Sequence, residues 1–454
     1  MTTPDTGFLR FLALKMTADN IFPPQETAAP MTAQTVAGFW RKWARKAKKS
    51  GGMAGVYVHI PFCAQKCTYC CCGSWKPKSS AELDAHCAGL KREMQLLAPA
   101  LEGLRIRTLY FGGGSPSILN AKQLEDILES LNVSFNLSAL EQFNFEAMPQ
   151  NITPEKLAIL KRHGANRVTL GIQTISPAAL KIIARKQDAQ MVEKAIGMVR
   201  AAGIRDLNVD FVAGLPGETK ESFCLGLARI LRQRPEMVHI YAFQNREDTL
   251  YYKTGGKYTD SDRALCAEMV RAGKYILEKA GYRHRLGDSY GLRDSAVNLQ
   301  EYDRGFNNAS YMAFGYPARS HISGTLSYFS GFEHYSGRQI KYFAQKLSPL
   351  DEMRKYAVQH IWGGVSKQEF RKKFGRDFAA TFKWELDSLS RANVLKDEDG
   401  MIALATPNRL EAEVYGRIFF GKKTLGALRR YFEKSYDPQK NYDAELKLRY
   451  GDNL

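Results

Sequence analysis

The chain has 454 residues, yet no apolar run approaches the roughly 18 residues that a membrane span needs. The N-terminal stretch Phe8-Leu-Arg-Phe-Leu-Ala-Leu-Lys-Met16 is too short and too interrupted by charge for a signal peptide. A cytoplasmic enzyme is therefore expected, in a compartment where thiols stay reduced. No internal repeat is visible. No C-x2-C pair recurs along the chain as structural zinc sites normally require. Acidic residues are the scarcer charge, 47 against 65 Lys and Arg, for a formal charge of +18. No RNA-binding motif accompanies that excess, so it is read as a general basic surface and no nucleic-acid partner is expected. What remains is ordinary globular composition, 44% hydrophobic and 25% charged, in a chain long enough for two or three domains.

What is present is a concentration of cysteine. An apolar run containing Tyr57 and His59 reads as a buried strand stopped by Pro61. Cys63, Cys67 and Cys70 follow at C-x3-C-x2-C spacing, with Cys71 and Cys72 directly after. Five cysteines so close together cannot all pair with one another in good disulfide geometry. Three thiolates on a tight loop can each hold one iron of a cubane, leaving the fourth iron without an obligatory protein ligand. Zinc or redox thiols are the competing readings. Cys71 and Cys72 suit a fourth ligand, a catalytic thiol or a pocket lining.

From Met53 onward, strand and helix alternate. Apolar, β-rich runs occur near 55–60, 106–111, 142–146, 167–172, 206–211 and 237–243. Helical stretches separate them at 81–98, 121–131, 154–163, 189–202 and 219–233. Buried strands alternating with helices imply a parallel sheet with helices outside, which right-handed crossovers would curl into a partial barrel. Functional residues are then expected at the C-terminal ends of the strands.

The cysteine loop resembles the signature of the radical S-adenosylmethionine (SAM) superfamily, in which an aromatic, here Tyr69, precedes the third cysteine. Tyr57-Val-His-Ile-Pro-Phe-Cys63 narrows the likeness to the oxygen-independent coproporphyrinogen III oxidase family, over about residues 53–420. That family includes decarboxylating oxidases, haem chaperones, haem-degrading enzymes and C-methyltransferases. The resemblance implies an open (β/α)6 barrel and a [4Fe–4S] cluster on Cys63, Cys67 and Cys70. Its open iron would chelate SAM, and reduction would yield a 5′-deoxyadenosyl radical. The resemblance also implies a flavodoxin-like or ferredoxin-like electron donor and a small aromatic or tetrapyrrole substrate.

Further matches lie at the strand ends. Tyr57 is implied as a catalytic and SAM-contacting residue. Leu109-Tyr-Phe-Gly-Gly-Gly-Ser-Pro-Ser117 matches a Gly-Gly-Gly-Thr-Pro element, its glycines suited to close backbone approach. The resemblance assigns Gly113 and Glu146 to a first SAM. It assigns Gly114, Ser115, Tyr69, Gln173, Arg185, Asp210 and Ala242 to a second. With two SAM molecules bound, the methyl of the second can be the atom attacked, leading to C-methylation or ring formation.

Departures from the family begin after residue 280. Asn298–Asn308 lacks the chaperones' His-Asn-x-x-Tyr-Trp segment, and no Tyr-Thr-x-Tyr-Pro segment of the oxidases is present. Propionate decarboxylation and a non-catalytic haem carrier are the alternatives to methylation. Phe314–Ser320 is a loose version of a Gly-rich family loop, where Arg319 and His321 face an anionic substrate or cap a turn. Helices at 350–360, 366–374 and 377–391, then a hairpin over Val394–Ala403 turning at Asp399-Gly400, resemble a winged helix. The expected division is an N-terminal extension over 1–52, the barrel and its extension over 53–335, and a mainly helical domain over 336–454. Within the extension, a basic helix would place Phe39 and Trp43 on one side and its cations on the other. The tail after Phe432 is polar, and partial disorder is expected of it.

Overall fold

The computed structural model describes residues 5–16, 22–305, 307, 309–331, 340–406, 409–440 and 442. Six strands form its centre: Ala54–Ile60, Ile106–Gly113, Gln142–Ala147, Arg167–Gln173, Asp206–Ala213 and Met237–Ala242. Counting Ala29–Met31 as β1, these are β2 to β7. They lie side by side in chain order, all parallel, with helices in the crossovers. This is the expected (β/α)6 arrangement.

The sheet is wider than six strands. Arg283–His284 (β8) and Ser289–Gly291 (β9) extend it antiparallel beyond β7. Tyr311–Phe314 (β10) joins β2 in parallel, followed outward by Arg319–Ile322 (β11), Leu326–Ser330 (β12), Tyr342–Lys346 (β13) and β1. Among the described residues the sheet has 13 strands and continues the barrel wall well past the cysteine strand.

Strand alternation decides what faces inward. Val56, Val58, Leu109, Phe111, Phe143 and Phe145 point outward into the helices and are fully buried in one core. Their neighbours Tyr57, Tyr110, Asn144 and Arg167 lie in register across β2 to β5 on the opposite, inner face. The strands look uniformly buried, but their period-2 pattern separates an apolar outside from a polar lumen.

The described parts of the first 52 residues are built into the rest of the molecule. Helix Thr6–Lys15 inserts Phe8, Phe11 and Leu12 into a second core with Phe370, Phe378 and Phe419. β1 closes the sheet edge against β13. Helix Ala33–Lys49 packs under β12, where Trp40 Nε1 donates to Tyr328 at 2.8 Å. Its buried face centres on Val36, Trp40 and Ala44, and Phe39 and Trp43 are only partly buried. The expected facing was thus off by one residue, because Trp40 supplies the larger apolar surface in the middle of the stripe.

The C-terminal part has helices Pro349–His360, Lys367–Phe374 and Lys383–Arg391, then the hairpin Leu395–Glu398 (β15) and Met401–Leu404 (β16). With Val365–Ser366 (β14) the hairpin makes a three-stranded sheet, in the element order of a winged helix. Asp399 and Gly400 both take positive φ, 51° and 77°, as a tight hairpin turn demands. The expected boundary at 335/336 lies outside the described residues, as do residues 443–454 of the tail. Tyr436 and Tyr442 of that tail pack on the Phe11 ring at 5.3 and 5.5 Å.

Candidate functional site

The cysteine loop leaves the C-terminal end of β2 and is pinned on several sides. Cys63 N donates to Trp75 O at 3.0 Å and Trp75 N to Pro61 O at 2.9 Å. Thr68 N donates to Ile183 O at 3.1 Å, and Tyr251 N to Thr68 O at 2.8 Å. Lys66 Nζ crosses the loop to Cys72 O at 2.8 Å and Ser74 Oγ at 3.0 Å. Cys63 and Cys67 are buried, Cys70 is half-buried, and Cys71 and Cys72 are exposed.

Cations compensate this thiol-rich loop. Arg185 Nη1 donates to Cys67 Sγ at 3.5 Å. A hydrogen bond from Cys72 and the Lys66 charge hold the Cys70 thiol below the ordinary range. Burial instead pushes Cys63 up to about 11, against a hydrogen bond to Ser74. A metal would therefore have to displace its proton. Among the described residues, no three His, Cys, Asp or Glu side chains converge on a single-ion position. Three thiolates on one loop can each hold one iron of a cluster.

Beside the loop, Tyr57, His59, Tyr110, Gly113 and Glu146 meet. The Tyr110 hydroxyl donates to Glu146 Oε1 at 2.6 Å. Burial pushes Glu146 up to about 7 despite that bond and one from the Gly113 amide. Tyr57 OH lies 3.1 Å from His59 Nδ1, and His59 Nε2 is buried without a hydrogen-bond partner among the described residues. Burial lowers His59 to about 3, so its ring is neutral. Gly113 has φ +114°, and a Cβ there would meet the His59 ring at 2.6 Å. At Gly114 a Cβ would meet Phe62 O at 2.6 Å. The triple glycine is thus required by the protein's own packing at the strand end.

A second constellation forms around Gly171. Asp210 is its register partner on β6, and the Gln173 amide lies over it. Gln173 reaches that position through a left-handed backbone, φ 70°. Arg185 donates to Gly171 O and, at 2.8 Å, to Gln187 Oε1. Asp210 accepts from Asn208 at 2.8 Å and lies 3.1 Å from His239 Nδ1. Tyr69 and Ala242 pack together beside it with Phe243. Ser115 is buried, its hydroxyl 3.0 Å from Ser117 Oγ and its amide donating to Phe62 O at 2.8 Å.

Of the residues the resemblance assigns, Tyr57, Gly113, Glu146, Gln173, Asp210 and Ala242 lie on β2 to β7, Cys63, Cys67, Tyr69, Cys70, Gly114 and Ser115 on the loops after β2 and β3, and Arg185 beyond β5, whereas Arg319 and His321 lie on β11 of the sheet extension. His59, Tyr110, Asn208, His239 and Arg167 were missed. Arg167 is fully buried, with no hydrogen-bond partner for any guanidinium nitrogen among the described residues. The signal that would have found these is the polar half of each strand's alternation.

Comparison with known proteins agrees with this geometry. Residues 57–224 match the radical SAM superfamily profile. Over 353 residues the chain is 30% identical to the heme chaperone HemW of Lactococcus lactis subsp. lactis (strain IL1403), covering 75% of this chain and 90% of that one. The chain belongs to the HemN-like family of radical SAM enzymes. Within that family it is also 24% identical over 437 residues to the anaerobic coproporphyrinogen III oxidase 1 of Cereibacter sphaeroides, covering 90% and 95% of the two chains. The solved structure of coproporphyrinogen III oxidase (HemN) from Escherichia coli superposes with a TM-score of 0.74 at 19% identity, covering 90% and 98%, and shares the fold. Members of the family use a [4Fe–4S] cluster and SAM, and the pinned loop with its adjacent cations fits such a cluster. No helix of the described residues is long and apolar enough to cross a membrane.

Proposed function

We propose that Cys63, Cys67 and Cys70 hold the cluster, and that the enzyme acts on an aromatic, tetrapyrrole-class substrate with two SAM molecules bound, ending in C-methylation or ring formation. The observation that carries the two-SAM reading is the pair of adjacent polar constellations, one around Gly113 and one around Gly171, at the same barrel mouth as the cysteine loop. When bound and reduced, the cluster supplies the electron that cleaves SAM to a 5′-deoxyadenosyl radical. In the first constellation Glu146 accepts from an amino or hydroxyl group, while His59 Nε2 offers an unused hydrogen-bonding position. In the second, Asp210 accepts from ribose hydroxyls, the Gln173 amide adds a donor and acceptor, and Arg185 supplies positive charge for a carboxylate. The electron comes from a flavodoxin-like or ferredoxin-like protein.

Anaerobic turnover with candidate tetrapyrroles and methyl-deuterated SAM tests this reading. The expected result is 5′-deoxyadenosine and S-adenosylhomocysteine formed together, with label in the product. Gln173→Asn, which tolerates the left-handed backbone, should lower S-adenosylhomocysteine at least tenfold while 5′-deoxyadenosine persists. The cysteine-bound site is untouched by that change, whereas Arg185 variants also disturb Cys67. Decarboxylation without label is the outcome for the second reading, favoured by the oxidase relatives. Stoichiometric haem binding with no SAM cleavage would overturn both.

A further inference from the structure

Beyond the barrel, the sheet face that carries Tyr57 turns cationic and aromatic. Ala313 is the register partner of Tyr57, and Tyr311 that of Gly55 and of His321. Arg319 and His321 therefore share the lumen face. Arg319 lies over the half-buried Phe329 ring at 5.9 Å, and Phe329 stacks on half-buried Phe343 at 5.8 Å and 21°. Arg319 also donates to Pro23 O.

Helix Pro349–His360 covers this patch, and its one carboxylate here is already engaged. Glu352 pairs with His321 Nε2 at 3.1 Å and accepts from Gly324 N at 2.7 Å. Lys355, on the same helix, is 6% exposed, and its ammonium has no hydrogen-bond partner among the described residues. A buried ammonium without a hydrogen-bond partner is costly, and it stays charged only where something compensates it. Burial pulls Lys355 down to about 8, with Glu352 opposing that shift and Arg304 and Lys373 adding to it. Arg304, on helix Leu299–Gly305, lies over Tyr311 at 5.8 Å, and its charge reaches both Tyr57 and Arg319. Glu26 is the other carboxylate in the surroundings of Arg319. Half-buried aromatic rings and the ammonium of Lys355 thus border the same stretch of the lumen face.

We propose that Lys355, beside the Arg319–Ile322 strand through His321, receives a carboxylate of the substrate while Phe329 and Phe343 pack against its ring system. This rests on the tetrapyrrole-class reading above. It adds a specificity device on the sheet extension, outside the barrel. The same chemistry would suit the methionyl carboxylate of SAM, so the test separates the two.

The probe is coproporphyrin III, an air-stable tetrapyrrole carboxylate, with its methyl ester as the uncharged control, titrated by absorbance. Lys355→Met, similar in volume, should weaken binding of the acid at least tenfold, and Lys355→Arg should restore most of it. The ester should bind wild type and Lys355→Met alike. Because the ammonium has no hydrogen-bond partner among the described residues to lose, Tm of Lys355→Met should equal or exceed that of wild type, unlike a close structural ion pair. Unchanged acid binding, or weakening of SAM affinity in place of porphyrin affinity, overturns the proposal. If wild type binds no porphyrin, the substrate-class reading fails and glutarate decides the subsite. Millimolar glutarate raising Tm of wild type but not of Lys355→Met upholds it, and no differential shift overturns it.

Discussion

At the scale of single residues, the thiols of the cluster loop differ by position. Cys63, Cys67 and Cys70 are held by backbone bonds or burial, while Cys71 and Cys72 stand exposed. Replacing any of the first three with Ser should abolish bound iron, sulfide and SAM cleavage. Cys71→Ser and Cys72→Ser should keep wild-type iron and sulfide counts. Near-normal iron in Cys67→Ser would sink the ligand assignment. Glu146 gives a pH prediction of definite sign. Its carboxyl is held up at about 7, against about 4.3 in an unfolded chain. Its contribution to stability is full below the unfolded value and is lost as pH rises through about 7. Glu146→Gln should therefore flatten the Tm-against-pH curve between about 4.5 and 7.5, relative to wild type. If the ionised form holds the SAM amino group, SAM affinity of the wild type should fall up to about tenfold per pH unit below 7, and that of Glu146→Gln should not. Parallel pH curves for the two proteins would remove Glu146 from the site.

At the scale of elements, the N-terminal helix is the part whose position its own sequence least reveals. Thr6–Lys15 is short and only weakly amphipathic, yet Phe11 is fully buried among Phe432, Tyr436 and Tyr442. Phe11→Ala removes a large buried ring and should destabilise the C-terminal helical part by about 3–5 kcal/mol, read by urea melts. A cost under about 1 kcal/mol would show that the helix is dispensable. The hairpin at Asp399-Gly400 is the opposite case, since a two-residue turn with both φ positive is a local requirement that Asp-Gly meets by itself. The strands of the barrel lie between these extremes. Their existence was legible as apolar runs, but which side of each run is polar matters only once neighbouring strands are in register.

At the scale of the whole molecule, the charge of +18 remains to be used. A flavodoxin-like or ferredoxin-like donor with an acidic surface would meet the cluster face faster because of such a charge. Reduction by such a donor should slow several-fold as salt rises from about 50 to 300 mM, while reduction by a small uncharged donor should not. Equal salt sensitivity for both donors would show that the surface charge plays no part in docking.

The sequence alone determined the features that need only local chemistry. Cysteine spacing marked the thiol-rich loop, glycine and proline marked the strand ends, and apolar runs located the six parallel strands to within one or two residues. The residues assigned to SAM came instead from the likeness of these segments to a known family, and Arg185 lies beyond the helix after β5, away from any strand end. Tertiary structure decided what those residues do to one another. Gly171 becomes a meeting point only when β5 and β6 pair it with Asp210, and Glu146 is pushed up only because the barrel closes around it. The width of the sheet, the burial of Trp40 rather than Phe39, and the unpaired ammonium of Lys355 depend on contacts between segments tens to hundreds of residues apart. Those contacts follow from register and packing, which no single segment encodes.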